Sequence, residues 1–180
     1  MTYRWIDEDQ SLVTRSVEEL DQYLSSEVLL WRIAGLEIPL TPGNLLLSIQ
    51  RLVAVKDPKS IQSQDAILKL IDTRRSAWMK KVGRELPMRV KQWQELVEEI
   101  SRYGSLDASF QYSVRARVII ELLTADTKLI ENELQMKVET SDKRLFMMTK
   151  PGEFIWDNEL GVTFGPEAFP YLYIQAGDQG

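Results

Sequence analysis

Apolar positions recur along this chain at three- and four-residue steps over long stretches, the rhythm of helices with one face turned inward. Ile67, Leu68, Leu70, Ile71, Trp78, Met79 and Val82 follow it, and Trp93, Leu96, Val97 and Ile100 resume it after Gly83 and Pro87. The spacing predicts a helix over 16–36, opened by a capping box in Ser16-Val-Glu-Glu19, where the serine hydroxyl and the Glu19 carboxylate each satisfy an orphan backbone N–H. The segment EIPLTPGN breaks that helix, and Thr41-Pro42 supplies an N-cap and first-turn pair for a second one ending near Lys56, ahead of Asp57-Pro58. Ser60 is the expected cap of a third helix. A kink or short break is expected at Gly83 to Pro87, with helix resuming to about Tyr103 and stopping at Gly104.

A last helix is expected from Asp107 to Val138. It is apolar around most of its circumference and keeps a narrow polar stripe of Ser113, Arg117, Glu121, Thr124, Lys128, Glu131 and Gln135, which marks it as central. Beyond it the pattern changes. Phe154, Trp156, Phe164, Phe169, Tyr171 and Tyr173 alternate with turn formers, so the C-terminal segment reads as an aromatic-rich arm, either irregular or carrying a small β-hairpin around 157–161. The predicted fold is an all-α, mostly antiparallel bundle of four to five helices in a single domain. Residues 1–15 form an N-terminal segment, 16–138 the bundle and 139–180 the arm.

Composition narrows the chemistry. With 180 residues, 44% apolar and 27% charged, the chain has the balance of a globular domain able to bury roughly 70% of its unfolded surface. Neither cysteine nor histidine is present, which removes disulfides, thiolate nucleophiles, imidazole ligands and Ser-His or Cys-His catalysis. Any metal would need hard oxygen ligands. The Asp7-Glu8-Asp9 run lacks the spacing of a calcium loop and reads as an acidic terminus. The opening MTYRWIDEDQ lacks the layout of a signal peptide, and apolar runs such as 28–31 and 118–120 are far too short to span a bilayer. A cytoplasmic protein is expected, with no cofactor and no membrane contact.

Charge is uneven. Residues 51–91 carry 11 basic and 4 acidic groups, whereas 1–50 carry 3 and 8 and 92–180 carry 8 and 15. On a wheel at about 100° per residue, Lys69, Lys80, Arg84, Lys81 and Arg74 fall between about 0° and 140°, while Trp78, Ile71, Val82, Leu68 and Met79 fall between about 180° and 280°. The cations therefore face outward and Trp78 faces the core. Single-strand binders interleave aromatics with positive charge so that bases can stack, and this helix segregates them. The basic face over 69–91 thus reads first as solvated or paired with acidic helices, and as an anion or nucleic-acid surface only as the alternative.

Four charges fall on apolar faces. Glu27 lies between the angles of Leu20 and Ala34, Arg75 lies among Val82, Leu68 and Met79, and Arg115 and Asp126 share the apolar side of the last helix. Isolated burial would be costly, so they are expected to pair internally or to line a ligand pocket. Glu95-x-x-Glu98 followed by Glu139-x-x-Asp142 resembles, over four residues, the carboxylate pairs of all-α nucleotide pyrophosphatases. That resemblance implies a magnesium-dependent reaction, although the wheel turns Glu95 and Glu98 toward water, opposite Trp93, Leu96 and Ile100. Trp156, Phe169, Tyr171 and Tyr173 are of the types enriched at interface hot spots. The functional expectation is a non-enzymatic interaction protein, homo-oligomeric, with the basic face and the aromatic arm as contact surfaces.

Overall fold

The structure is a computed structural model and describes residues 4–104, 106 and 108–177. Residues 1–3 and Asp107, the expected start of the last helix, lie outside the described residues. The protein is all-α apart from one small two-stranded sheet. Its chain divides into two compact units, Met1–Glu85 and Leu86–Gly180.

In the first unit, α1 (Arg4–Ser25) packs against α2 (Pro42–Ala54) and α3 (Ile61–Thr73). The capping box does not form: Ser16 sits inside α1, fully buried, its hydroxyl without a partner. Asp9, Leu12, Val13, Ser16, Leu20, Tyr23 and Leu24 are all buried at three- and four-residue spacing. A cap is worth about 1 kcal/mol and each buried Leu or Val about 1.5–3 kcal/mol, so burying Leu12 and Val13 outweighs starting the helix at Ser16. The helix ends at its two serines. Ser25 Oγ donates to Asp21 O, and both Oγ and N of Ser26 donate to Tyr23 O, adding side-chain donors to the last carbonyls.

Thr41 caps α2 as expected, in extended backbone conformation (φ −141°), accepting from Asn44 N at 3.1 Å with Pro42 in the first turn. Every residue of α2 except Gln50 and Val53 is buried. Its Arg51 bonds both carboxylate oxygens of Asp9 at 2.7 Å, and Ser48 Oγ donates to the same carboxylate at 2.7 Å. Asp9, expected in an acidic terminus, is therefore the buried counter-ion of α2. Ser60 stands before α3 without capping it. Its N–H donates to Asp57 Oδ2, and its hydroxyl accepts from Gln64 Nε2.

The break expected at Gly83 to Pro87 falls elsewhere. α3 closes on Arg74, whose side chain is held by Asp21 and by Ser25 Oγ, and α4 (Arg75–Tyr103) then runs unbroken through Pro87. Proline withholds one hydrogen bond from the Gly83 carbonyl, yet both residues are exposed and the buried Leu86 and Val90 keep one face of the helix inward. Trp78 is fully buried, as expected, whereas Leu68 is exposed.

In the second unit the remainder of α4 ends at Gly104 (φ +69°), the predicted stop. The single last helix is instead three: α5 (Phe110–Ser113), α6 (Arg115–Thr127) and α7 (Asn132–Met148). Lys128 closes α6 in the left-handed conformation (φ +54°), so the expected polar stripe does not continue past it. Strands β1 (Thr149–Pro151) and β2 (Ile174–Ala176) pair antiparallel, with Lys150 opposite Gln175. The predicted hairpin at 157–161 is a 3₁₀ turn, Asn158–Val162, because Leu160 N donates back to Asp157 O and the Leu160 side chain is buried. The aromatic arm packs within its own unit: ring centroids lie 5.4 Å apart for Trp156–Phe164, 5.1 Å for Phe164–Phe169, 6.2 Å for Phe169–Tyr171 and 6.0 Å for Tyr171–Trp93.

Two substitutions test this packing by thermal or denaturant unfolding. Arg51→Met strands the Asp9 carboxylate and is expected to cost about 3–5 kcal/mol. Ser16→Ala removes a buried hydroxyl that has no partner, and is expected to leave stability unchanged or to raise it by up to about 1 kcal/mol.

Candidate functional site

The connection between α1 and α2, residues 26–40, is long for a loop without regular structure, and long ordered loops carry binding function disproportionately often. Helix side chains hold it in place. Lys81 Nζ donates to Ser26 O at 2.8 Å and also to Val28 O. Arg84 Nη1 donates to Glu27 O at 2.6 Å, Tyr23 OH to Leu29 O at 3.0 Å, and Arg15 Nη1 to Ala34 O. Trp31 and Leu40 bond each other's backbone in both directions, and Trp31 Nε1 reaches Glu19 Oε2 at 2.8 Å. Where the loop enters α2, Glu85 accepts from Thr41 Oγ1 at 2.8 Å and from Gly43 N at 2.7 Å. One stretch of α4, residues 80–85, thus pins both ends.

This arrangement follows from helical spacing. Lys81 and Glu85 are four apart on the buried side of α4, and Arg84 and Lys80 flank them at its edge. Lys81 is only 2% exposed, and its ammonium lies 4.4 Å from the Tyr23 ring centroid. Burial, and secondarily the neighbouring Arg84 charge, lower its pKa below the ordinary lysine value. Burial likewise raises that of Tyr23. Glu27 is exposed, and the hydrogen bond from Lys80, with Nζ to Oε1 at 3.2 Å, lowers its pKa. Among the side chains the pinned loop leaves outward, beside the charged Glu27, Arg32 and Glu37, are two large apolar ones: Val28 is 48% exposed and Leu30 is 47% exposed. At the loop's far end a groove of about 270 Å³ runs between Asp7, Glu8 and Ser11 of α1 and Leu36, Glu37 and Ile38.

Of the five cations expected to face outward, Lys69 and Lys80 do so, and Arg84 is exposed while bonded to the loop. Lys81 is the correction: its amine reaches loop carbonyls that the sequence pattern does not reveal. Arg74 ties α3 to α1. Glu27 lies in the loop beyond the end of α1, so the helical angle assigned to it does not apply, and its partner is Lys80. Arg75 opens α4, half-buried. Arg115 and Asp126 belong to the second unit, both half-buried, with the Arg115 guanidinium 4.9 Å from the Tyr112 ring centroid. Tyr171 and Phe169 are buried in that unit's core. Trp156 and Tyr173 are partly exposed and bond Gln111 O and Phe164 O respectively.

The second unit holds a buried cluster the sequence reading missed. Arg117, assigned to the wet stripe, bonds Asp142 through Nε at 3.1 Å and Glu121 through Nη1 at 3.0 Å, and its guanidinium sits 4.6 Å from the Tyr171 ring centroid. Trp93 Nε1 donates to the same Asp142 at 2.8 Å. The four-residue spacing of Arg117 and Glu121 was the available signal; Asp142 comes from another helix. With Asp142 so occupied, Glu139 bonded to Gln135, and Glu95 and Glu98 exposed on α4, the four acids that suggested magnesium are not gathered. Among the described residues no three His, Cys, Asp or Glu side chains are grouped to hold a metal ion, and no helix is long and apolar enough to cross a membrane. No known protein family, curated protein or solved structure matches this chain.

Lys81→Met is expected to leave the Ser26 and Val28 carbonyls without their donor, lowering stability by about 1–3 kcal/mol. Hydrogen exchange should quicken at 26–31 while the helices stay protected. A lysine whose pKa is lowered by folding binds its proton less well in the folded chain than in the unfolded one. Wild-type stability relative to Lys81→Met is therefore expected to rise as pH climbs toward the ordinary lysine value of 10.5, measured by denaturant titration.

Proposed function

We propose that this protein is a non-enzymatic, homo-oligomeric interaction protein that works by contact with other protein surfaces, and that the pinned loop 26–40 is the contact element of its first unit. The observation that carries this reading is the pairing of rigidity with exposed apolar side chains. Five loop carbonyls are held by Lys81, Arg84, Tyr23 and Arg15, while Val28 and Leu30 stay about half exposed. A loop already ordered before binding has little conformational entropy left to lose, so its apolar contacts count more fully toward affinity. Lys81 and Arg84 spend donors on the loop, which favours a protein contact over the anion or nucleic-acid surface. The proposed setting is the cytoplasm, in keeping with a chain free of cysteine.

The test compares wild type with Val28→Asp/Leu30→Asp, both tagged and purified from the native cells under identical conditions. The variant is expected to keep its unfolding midpoint, because both side chains are already partly solvated, and to lose proteins that wild type retains in constant ratio. Equal recovery of the same proteins by both forms would overturn the reading.

A further inference from the structure

Helix α7 turns Val138, Ser141 and Leu145 inward. On its solvent side stand Met136, 67% exposed, and Met147, 80% exposed. Eleven residues apart, they lie within about 20° of each other around the helix axis and so form one line along it. The other methionines among the described residues, Met79, Met88 and Met148, are half-buried. The chain has no cysteine, so thioethers are its only sulfur. An oxidant arriving from solvent meets Met136 and Met147 first.

We propose that Met136 and Met147 are sites of reversible oxidation by hydroperoxides. The thioether sulfur attacks the terminal oxygen of the hydroperoxide, and a sulfur–oxygen bond forms as the oxygen–oxygen bond breaks. The proton of that oxygen passes to the displaced one, which leaves as water or an alcohol; sulfur has lost two electrons and the hydroperoxide has gained them. A thiol-dependent sulfoxide reductase reverses the change, returning the oxygen as water while two thiols become a disulfide. The helix is suited to carry the product. Oxidation converts an apolar side chain into a polar one, which disrupts a packed core but not a solvated face. One turn from each sulfur, on the same face, stands an exposed donor for the new oxygen: Thr140 after Met136, and Lys143 before Met147. Neither reaction touches the inward face of Val138, Ser141 and Leu145. The two positions therefore consume oxidant while the fold persists.

The test exposes the full-length protein to excess hydrogen peroxide and follows each methionine by mass spectrometry of its peptides. Met136 and Met147 are expected to oxidise about tenfold faster than Met79, Met88 and Met148, and all five at one common rate in denaturant, because access sets the difference. The unfolding midpoint is expected to stay unchanged after the fast phase, and methionine sulfoxide reductases with dithiothreitol to restore both side chains. Met136→Leu/Met147→Leu is expected to fold normally and to lose the fast phase alone. In the native cells, a pulse of hydrogen peroxide is expected to place sulfoxide on both residues and recovery to remove it. Equal rates at all five methionines in the folded protein, a lowered midpoint once these two are oxidised, or their absence as sulfoxides from peroxide-treated cells would each overturn the proposal.

Discussion

One buried ammonium organises the first unit. Lys81 gives up water to sit over Tyr23 among the carbonyls of Ser26 and Val28, and the cost of that desolvation is offset only while those acceptors stay in place. The constraint works in both directions. The loop cannot leave without stranding the cation, and the cation can be tolerated beside Val82 and Trp78 only because the loop comes to meet it. The part of the loop around Ser26 and Val28 takes its position from this exchange.

The same logic recurs wherever charge is buried. Asp9 with Arg51 and Ser48 in the first unit, and Arg117 with Asp142 and Glu121 in the second, are bonded at nearly every polar atom. Buried ion pairs contribute little net stability compared with apolar packing of the same volume, but an alternative register leaves a charge unpaired at a cost of several kcal/mol. Their effect is to specify alignment. Arg51 is the one charged residue of α2, and a slip by one residue along α1 would take it from Asp9.

Much of the helical plan was legible because it rests on local rules. Thr41-Pro42 begins a helix and Gly104 ends one for reasons contained in the residues themselves: a hydroxyl within reach of the third N–H, and a backbone free to turn left-handed. Local signals misled where a larger burial term opposed them. Ser16 carries a capping pattern but lies in line with Leu12, Val13 and Leu20, and Pro87 breaks a hydrogen bond without ending α4 because its helix face is anchored on both sides. The breaks at Arg74 and Lys128 have neither glycine nor proline to announce them, so periodicity ran straight through.

The candidate surfaces divide along the same line. Segregation of Trp78 from Lys69 and Lys80, the exclusion of histidine and cysteine chemistry, and the aromatic character of the C-terminal segment were determined by sequence alone, because they depend on residue identity and on spacing within one element. Which cation becomes buried, which carboxylate meets Arg117, and which apolar side chains remain bare after the helices close were decided only by the tertiary structure. Those outcomes depend on distances between residues 25 to 57 positions apart, such as Arg84 and Glu27 or Arg117 and Asp142, and a chain's local pattern contains no term for contacts that only folding creates.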